Sequence, residues 1–373
     1  MKISISKNKF YSTLQTISKA VSSISPQPSL RGIKIEVTNE QLIVTGSDAD
    51  ISIREVILPN EDNHLNILEE GAILIDVKYL LEVVRKIDAE DLEIEIIDGN
   101  FVRFFGGHAQ FKINGMDPNN YPKINFNPLD KSFSISSGDL SEIINQTIFA
   151  VSNKDTRPVL TGVNFKAREN MLYCTATNSY RLSKKIYPLP LDFEFELTVP
   201  SKILNEMKSY LAIETDKEVI IGIDDRQIQF IVDDITFQSR LLEGSYPETD
   251  KLIPKDFSST LLINKNDLLR ATDRTLFIKT DNLINNRLQC SKDEIILSNR
   301  NQEIGEVEEP LVGTYEGDDL DICYSANYII DALRVLKSNE VKISFTSQLK
   351  PFIITDPDDD SVIELVLPLR TYN

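Results

Sequence analysis

What the chain has least of narrows its function first. Its 373 residues include two histidines and three cysteines. Cys174, Cys290 and Cys323 lie far apart with no CxxC pair, which argues against a disulfide framework or a zinc site. Each sits in an apolar, strand-like stretch and reads as a small hydrophobe. His64, in a loop, and His108, in "FGGHAQF", have no cluster of partners and read as structural or solvated. No GK[ST] and no helix opening follow "GGHAQ", so it is not a phosphate loop. Nothing resembles GxSxG, HExxH or a Walker sequence. "DPDDD" (Asp356 to Asp360) lacks the glycine and terminal glutamate of an EF-hand loop and reads as a solvated hairpin tip. The expectation is no catalysis, no metal and no cofactor. No apolar run reaches the ~18 to 20 residues of a membrane span, so no membrane association is expected. The opening "MKISISKNKFYS" alternates apolar and polar residues instead of building a signal peptide's apolar core, which points to the cytoplasm.

What is present fits a folded protein with 41% hydrophobic and 26% charged residues. The length exceeds one ordinary core and suits two or three domains. A formal charge of -18 argues against a broadly basic surface for nucleic acid, but leaves a local basic channel open.

Internal similarity recurs at a period of about 125 residues. Three amphipathic segments match: "DVKYLLEVVRKI" (Asp76 to Ile87), "PSKILNEMKSYL" (Pro200 to Leu211) and "SANYIIDALRVL" (Ser325 to Leu336). In the first, Val77, Leu80, Leu81, Val84 and Ile87 share a helical face; in the third, Ile329, Ile330, Leu333 and Leu336 do. An earlier set, "ISISKNKFYSTL", "FSISSGDLSEII" and "LLINKNDLLRAT", reads as strand, polar cap near Ser6, Ser137 and Asn264, then helix. Matching strands follow each helix, and Tyr121-Pro122 and Tyr246-Pro247 close the first two units. The spacing predicts three α+β domains, 1–127, 128–253 and 254–373, each with two helices packed on antiparallel sheets. Three copies in a row point to an arc or ring.

Basic residues recur on these helices: Lys78 and Arg85 in the first unit, Lys202 in the second and Arg334 in the third. The first-helix set adds Lys19, then Lys154 and Arg157 just after the second copy, and Arg270 and Arg274 in the third. These fall largely off the apolar stripe. If equivalent helices face one side, their cations converge on a phosphate-binding surface that ignores base sequence. Ordinary solvated helix faces explain the pattern equally well. "TATNSYRLSKK" (Thr175 to Lys185) invites a catalytic reading around Ser179, Tyr180 and Lys184, but no base is evident beside them.

The opening "MKISI", "SLRGIKIEV", "TRPVLTGVNF" followed by "TATNSYRLS", "EGSYPETDKLIP" and the terminal "VLPLR", in that order and spacing, resemble the bacterial sliding clamp, the beta subunit of DNA polymerase III. The resemblance spans the chain. It implies a head-to-tail homodimer whose six similar domains close a ring around double-stranded DNA, with helices lining the hole and sheets outside. Such a ring tethers polymerase without chemistry of its own, and each chain forms half of it.

The resemblance also implies a peptide cleft between the second and third domains. Its occupants would be the replicative polymerase alpha subunit, the clamp loader and other proteins carrying clamp-binding motifs. Matching positions are Leu160, Thr177, Ser179, Tyr180, Arg181 and Leu182, with Pro247 and Leu252 from the connection. The third unit supplies Pro351, Val366, Leu367, Pro368, Leu369 and Arg370. Arg181 is expected to orient the peptide. For the dimer seam the matches are Phe111 and Ile113 on one side and Phe277 and Ile278 on the other. The chain departs from the family in carrying Asn178 and Tyr180 where Asp and His are usual, Lys251 for an arginine, and "SSISPQPS" in a first-domain loop. The alternative is a repetitive cytoplasmic scaffold that binds peptides without encircling DNA.

Overall fold

The computed structural model describes residues 1–154, 156–213, 216–279 and 284–369. Among them are six α-helices: α1 (Lys7–Ser18), α2 (Val77–Lys86), α3 (Ser137–Thr147), α4 (Ser201–Leu211), α5 (Lys265–Thr275) and α6 (Ala326–Val335). Each helix follows directly on a strand, and a short polar side chain marks several of these changes of period. Ser6 accepts the N–H of Lys9, and Asn264 those of Asn266 and Asp267. The second-unit cap is Ser136, not Ser137: the Ser136 hydroxyl accepts the Asp139 N–H at 3.0 Å and donates to the Asp139 carboxylate at 2.7 Å. Ser137 instead accepts the Lys217 N–H at 3.0 Å. On α2 the buried set is Val77, Leu80, Val83 and Val84, with Leu81 half-buried at its border. No helix among the described residues is long and apolar enough to cross a membrane.

The chain packs as two compact units. One comprises Met1–Ser141 and Asn205–Leu241. It holds a five-stranded sheet that ends in Ala109–Asn114 and an eight-stranded sheet. The eight-stranded sheet carries first-repeat strands beside second-repeat strands, because Ile51–Ile57 pairs antiparallel with Ile235–Arg240. Helix α1 lies close on its strand Leu42–Ser47: a Cβ on Gly46 would meet the Ile17 carbonyl oxygen at 2.6 Å, so only glycine fits.

The other unit comprises Glu142–Leu204 and Leu242–Asn373. It holds a nine-stranded sheet and a four-stranded sheet that ends in Gly305–Pro310. Again a second-repeat strand, Arg181–Pro188, pairs antiparallel with a third-repeat strand, Asp359–Val366. The core between helices and sheets gathers Leu268, Ile329, Leu333, Ile343, Phe345 and Phe352. The α+β class is therefore as expected, with amphipathic helices on antiparallel sheets. Two readings need correction here. Asp356 lies in the hairpin as expected but is buried, its carboxylate accepting the N–H groups of Lys337, Ser338 and Asp358 at 2.9–3.2 Å. Cys174 and Cys290 are buried, whereas Cys323 is only half-buried.

Candidate functional site

The turn between Met171–Thr177 and Arg181–Pro188 is held by its own side chains. Thr177 Oγ1 donates to the Arg181 carbonyl at 2.6 Å and accepts the Ser179 N–H at 3.1 Å. Asn178 Oδ1 accepts the N–H groups of Tyr180 and Arg181, each at 3.0 Å. Ser179 takes the left-handed backbone, φ 75°, that this closure requires. Tyr180 is thereby thrown outward, 58% exposed. Its carbonyl accepts the Leu367 N–H at 2.9 Å, and the Leu369 N–H donates to the Cys323 carbonyl at 2.7 Å, so the tail is tied at two points.

The strand that leaves this turn has two different faces, because successive side chains alternate. One face carries Leu182, which packs with Ile353 and Leu365; Ile253, Phe257, Ile363 and Leu367 close around them, partly exposed. Lys184 follows on this face, 2.5 Å from Asp250 and over the Tyr173 ring. The Lys184 hydrogen bond, with Arg168 adding to it, holds the Asp250 carboxyl below the usual range. Lys184 is thus committed to an ion pair, which removes it from the catalytic reading. Burial pushes the Tyr246 phenol up, and the connection that follows it carries exposed Pro247 and Leu252.

The opposite face carries Arg181, Ser183 and Lys185 toward the helices. Arg181 Nη1 donates to Asp331 of α6 at 2.6 Å and Nη2 donates to the Phe149 carbonyl. Its guanidinium stacks 5.1 Å from the Phe149 ring and 4.8 Å from that of Tyr328. Expected from sequence to orient a peptide, Arg181 turns away from the Leu182 cluster and binds the third repeat. Val366 likewise enters the core beneath the helices, while Leu365 faces the cluster.

Of the other expected cleft residues, Leu160 is buried in the turn Pro158–Thr161, and Pro351, Pro368 and Leu369 are half-buried. Arg370 lies outside the described residues. Sequence reasoning missed Ile253, Phe257, Ile353 and Leu365. A signal was present in "PFIITD": Phe352 and Ile354 fill the core, so Ile353 between them must occupy the other face.

The basic set is exposed, apart from half-buried Lys19, and much of it is partnered. Arg85 pairs with Glu82 at 2.9 Å and Arg270 with Asp267 at 2.6 Å, each within one helix turn. Lys19 reaches Glu206 of α4 at 3.7 Å, and Arg274 forms two bonds to Glu309 at 2.6 and 2.7 Å. Lys78 stands 6.0 Å from the Tyr79 ring. Lys154, Arg157, Lys202 and Arg334 are exposed. Exposed pairs of this kind contribute only ~0.2–1 kcal/mol, so a phosphate can exchange for the carboxylate cheaply. At the expected seam, Phe111 and Ile113 are half-buried on the edge strand Ala109–Asn114 and Phe277 is 62% exposed. Ile278 is only 1% exposed, with its carbonyl held by Asn299, so it belongs to the core and presents no surface.

Three family models match in order: the DNA polymerase III beta subunit N-terminal domain over residues 1–125, its central domain over 134–248 and its C-terminal domain over 250–370. The chain is 36% identical over 382 residues to the beta sliding clamp of Bacillus subtilis, covering all of both chains. It is 34% identical over 380 residues to that of Staphylococcus aureus, again covering all of both. The crystal structure of the Bacillus subtilis clamp superposes with a TM-score of 0.96 at 35% identity over 100% of each chain. The beta chain from Streptococcus pneumoniae gives 0.95 at 33% identity, covering 99% of this chain and 100% of that one.

Proposed function

Because the chain belongs to the DNA polymerase III beta subunit family and is a non-catalytic sliding clamp, we propose that two copies close head to tail around duplex DNA. The copies divide into domains 1–127, 128–253 and 254–373, and they tether the replicative polymerase in the cytoplasm. The observation that carries this reading is the pair of sheet ends. Among the described residues Ala109–Asn114 and Gly305–Pro310, two of the eight sheet ends, each pair on one side only, so each offers a row of unpaired backbone groups. Phe111 and Ile113 flank the first row, and Phe277 follows the helix whose Arg274 binds the second. Lys112 on one edge faces a charge complement in Glu306 and Glu308 on the other. Head-to-tail contacts that close generate a ring, and two threefold-repeated chains give it pseudo-sixfold form.

The helices then line the hole, and their exposed cations exchange carboxylates for phosphates. Contact is sequence-independent, and a net charge of -18 is no obstacle when only the lining is basic. The partly exposed cluster around Leu182, with Tyr180, Leu252 and Leu367 at its rim, supplies the docking pocket. It takes apolar side chains from peptides of the polymerase alpha subunit, the clamp loader and other partners.

Topology tests the ring. Clamps loaded onto a nicked circular plasmid should co-migrate with it through a sizing column in moderate salt and be lost once the plasmid is cut to a linear form. Retention that survives linearisation and falls steadily with salt would mean ordinary surface binding. No retention on either form would favour a peptide-binding scaffold.

A further inference from the structure

Ser183, Glu364 and Gln146 form a hydrogen-bond chain whose proton count is informative. Ser183 Oγ contacts the Gln146 carbonyl and lies 2.8 Å from Glu364 Oε1. A hydroxyl has one proton to give, and the Gln146 carbonyl can only accept it. A second proton is therefore needed on the Ser183–Glu364 contact. Glu364 is 2% exposed, and among the described residues no cation comes within ion-pair distance of it. The charged groups facing it are Arg181 on the neighbouring strand and Asp331 on α6, and these are bound to each other at 2.6 Å. Lys185, the next residue on that face, is committed to Glu142, Asp359 and Ser361. On the other side Glu364 is paired in register with Ile354, which is apolar.

We propose that Glu364 is held as the neutral carboxylic acid and donates to Ser183, which donates to Gln146, fastening the last strand of the third repeat to α3 of the second through a proton. Burial raises this carboxyl well above its ordinary range, outweighing the lowering by the Ser183 hydrogen bond and the Arg181 charge, while the Asp331 charge adds a last, smaller rise. Two consequences follow. When the proton is lost, the single Ser183 proton faces two acceptors and turns to the Glu364 carboxylate, so the bond from Ser183 to the Gln146 carbonyl of α3 is the one given up. Glu364 also acts as a positioning residue for Leu365 and Leu367, its neighbours on the docking face; this last step rests on the docking reading above.

The sign is fixed by linkage. A carboxyl whose folded pKa is raised contributes stability that is lost as pH climbs from the ordinary value of about 4.3 through the folded one, tenfold in the folding equilibrium per pH unit. Glu364→Gln keeps a neutral donor and should remove that slope. Infrared difference spectra of the full-length clamp at neutral pH should show a protonated-carboxyl band that E364Q lacks. Ser183→Ala should shift that band and not abolish it. Absence of a band that depends on Glu364, or identical stability slopes for wild type and E364Q, would overturn the neutral acid. If E364Q folds poorly, an unshifted band in S183A overturns the chain by itself. A labelled peptide from the polymerase alpha subunit should lose affinity at alkaline pH for wild type and not for E364Q. Equal losses, with the band present, would overturn only the positioning step. Failure of the peptide to bind at any pH would count against the docking reading itself and leave the spectroscopic result standing.

Discussion

In the proposed head-to-tail ring, Phe277→Asp is expected to turn the clamp from dimer to monomer. Phe277 is 62% exposed immediately beyond α5, whereas the adjacent Ile278 is 1% exposed and packed inside its own chain. Charging both residues would therefore confound ring opening with local unfolding; charging Phe277 alone does not. An unpaired carboxylate forced into an apolar contact costs about 3–5 kcal/mol. A closed ring of two copies contains the contact twice, so the penalty is on the order of 6–10 kcal/mol, a loss of at least ~10⁴-fold in dimer affinity. Sedimentation velocity at micromolar protein should show a single species at half the mass, with thermal unfolding nearly unchanged. Phe111→Asp, on the opposing edge strand, should behave alike. Dimers that persist in both variants would remove the seam from these two surfaces and leave the ring without its closing contact.

The same two residues show where the sequence was readable. Period-two runs located the strands and period-three-to-four runs the helices, and their threefold recurrence gave the order of elements. At a helix exit neither period continues, so nothing in "TLFIK" distinguishes the inward Ile278 from the outward Phe277. Alternation places Arg181 and Leu182 on opposite faces of their strand, but which face meets the helices depends on the pairing of Arg181–Pro188 with Asp359–Val366. That pairing is distant in sequence and no local pattern encodes it. Asp356 defies a local reading for a similar reason, since two of the three N–H groups it binds belong to Lys337 and Ser338, just past the end of α6. The pairs Glu82–Arg85 and Asp267–Arg270 were visible, being one helix turn apart, whereas Arg274–Glu309 joins a helix to a remote edge strand. Polar seams are read poorly because their residue types look like surface.

Arg181 and Tyr180, neighbours in the chain, should separate positioning from contact. Arg181→Met preserves the aliphatic stem but leaves Asp331 without its cation and the Phe149 carbonyl without its donor, and it removes the guanidinium from between two rings. With the Arg181 side chain only 12% exposed, breaking this pair should cost about 3–5 kcal/mol. For a unit of this size that is a fall of roughly 6–20 °C in melting temperature, read by calorimetry. Tyr180→Ala touches a side chain that is 58% exposed and leaves the Asn178 and Thr177 bonds of the turn in place. Its stability should change by no more than ~0.5 kcal/mol. Peptide affinity should fall in both variants, in R181M together with stability and in Y180A without it. If R181M melts like wild type yet loses the peptide, Arg181 contacts the peptide directly and the inward geometry is not the bound one. If Y180A binds unchanged, the docking surface stops at the Leu182 cluster, and the tyrosine that stands in place of the family's histidine has no part in choosing partners.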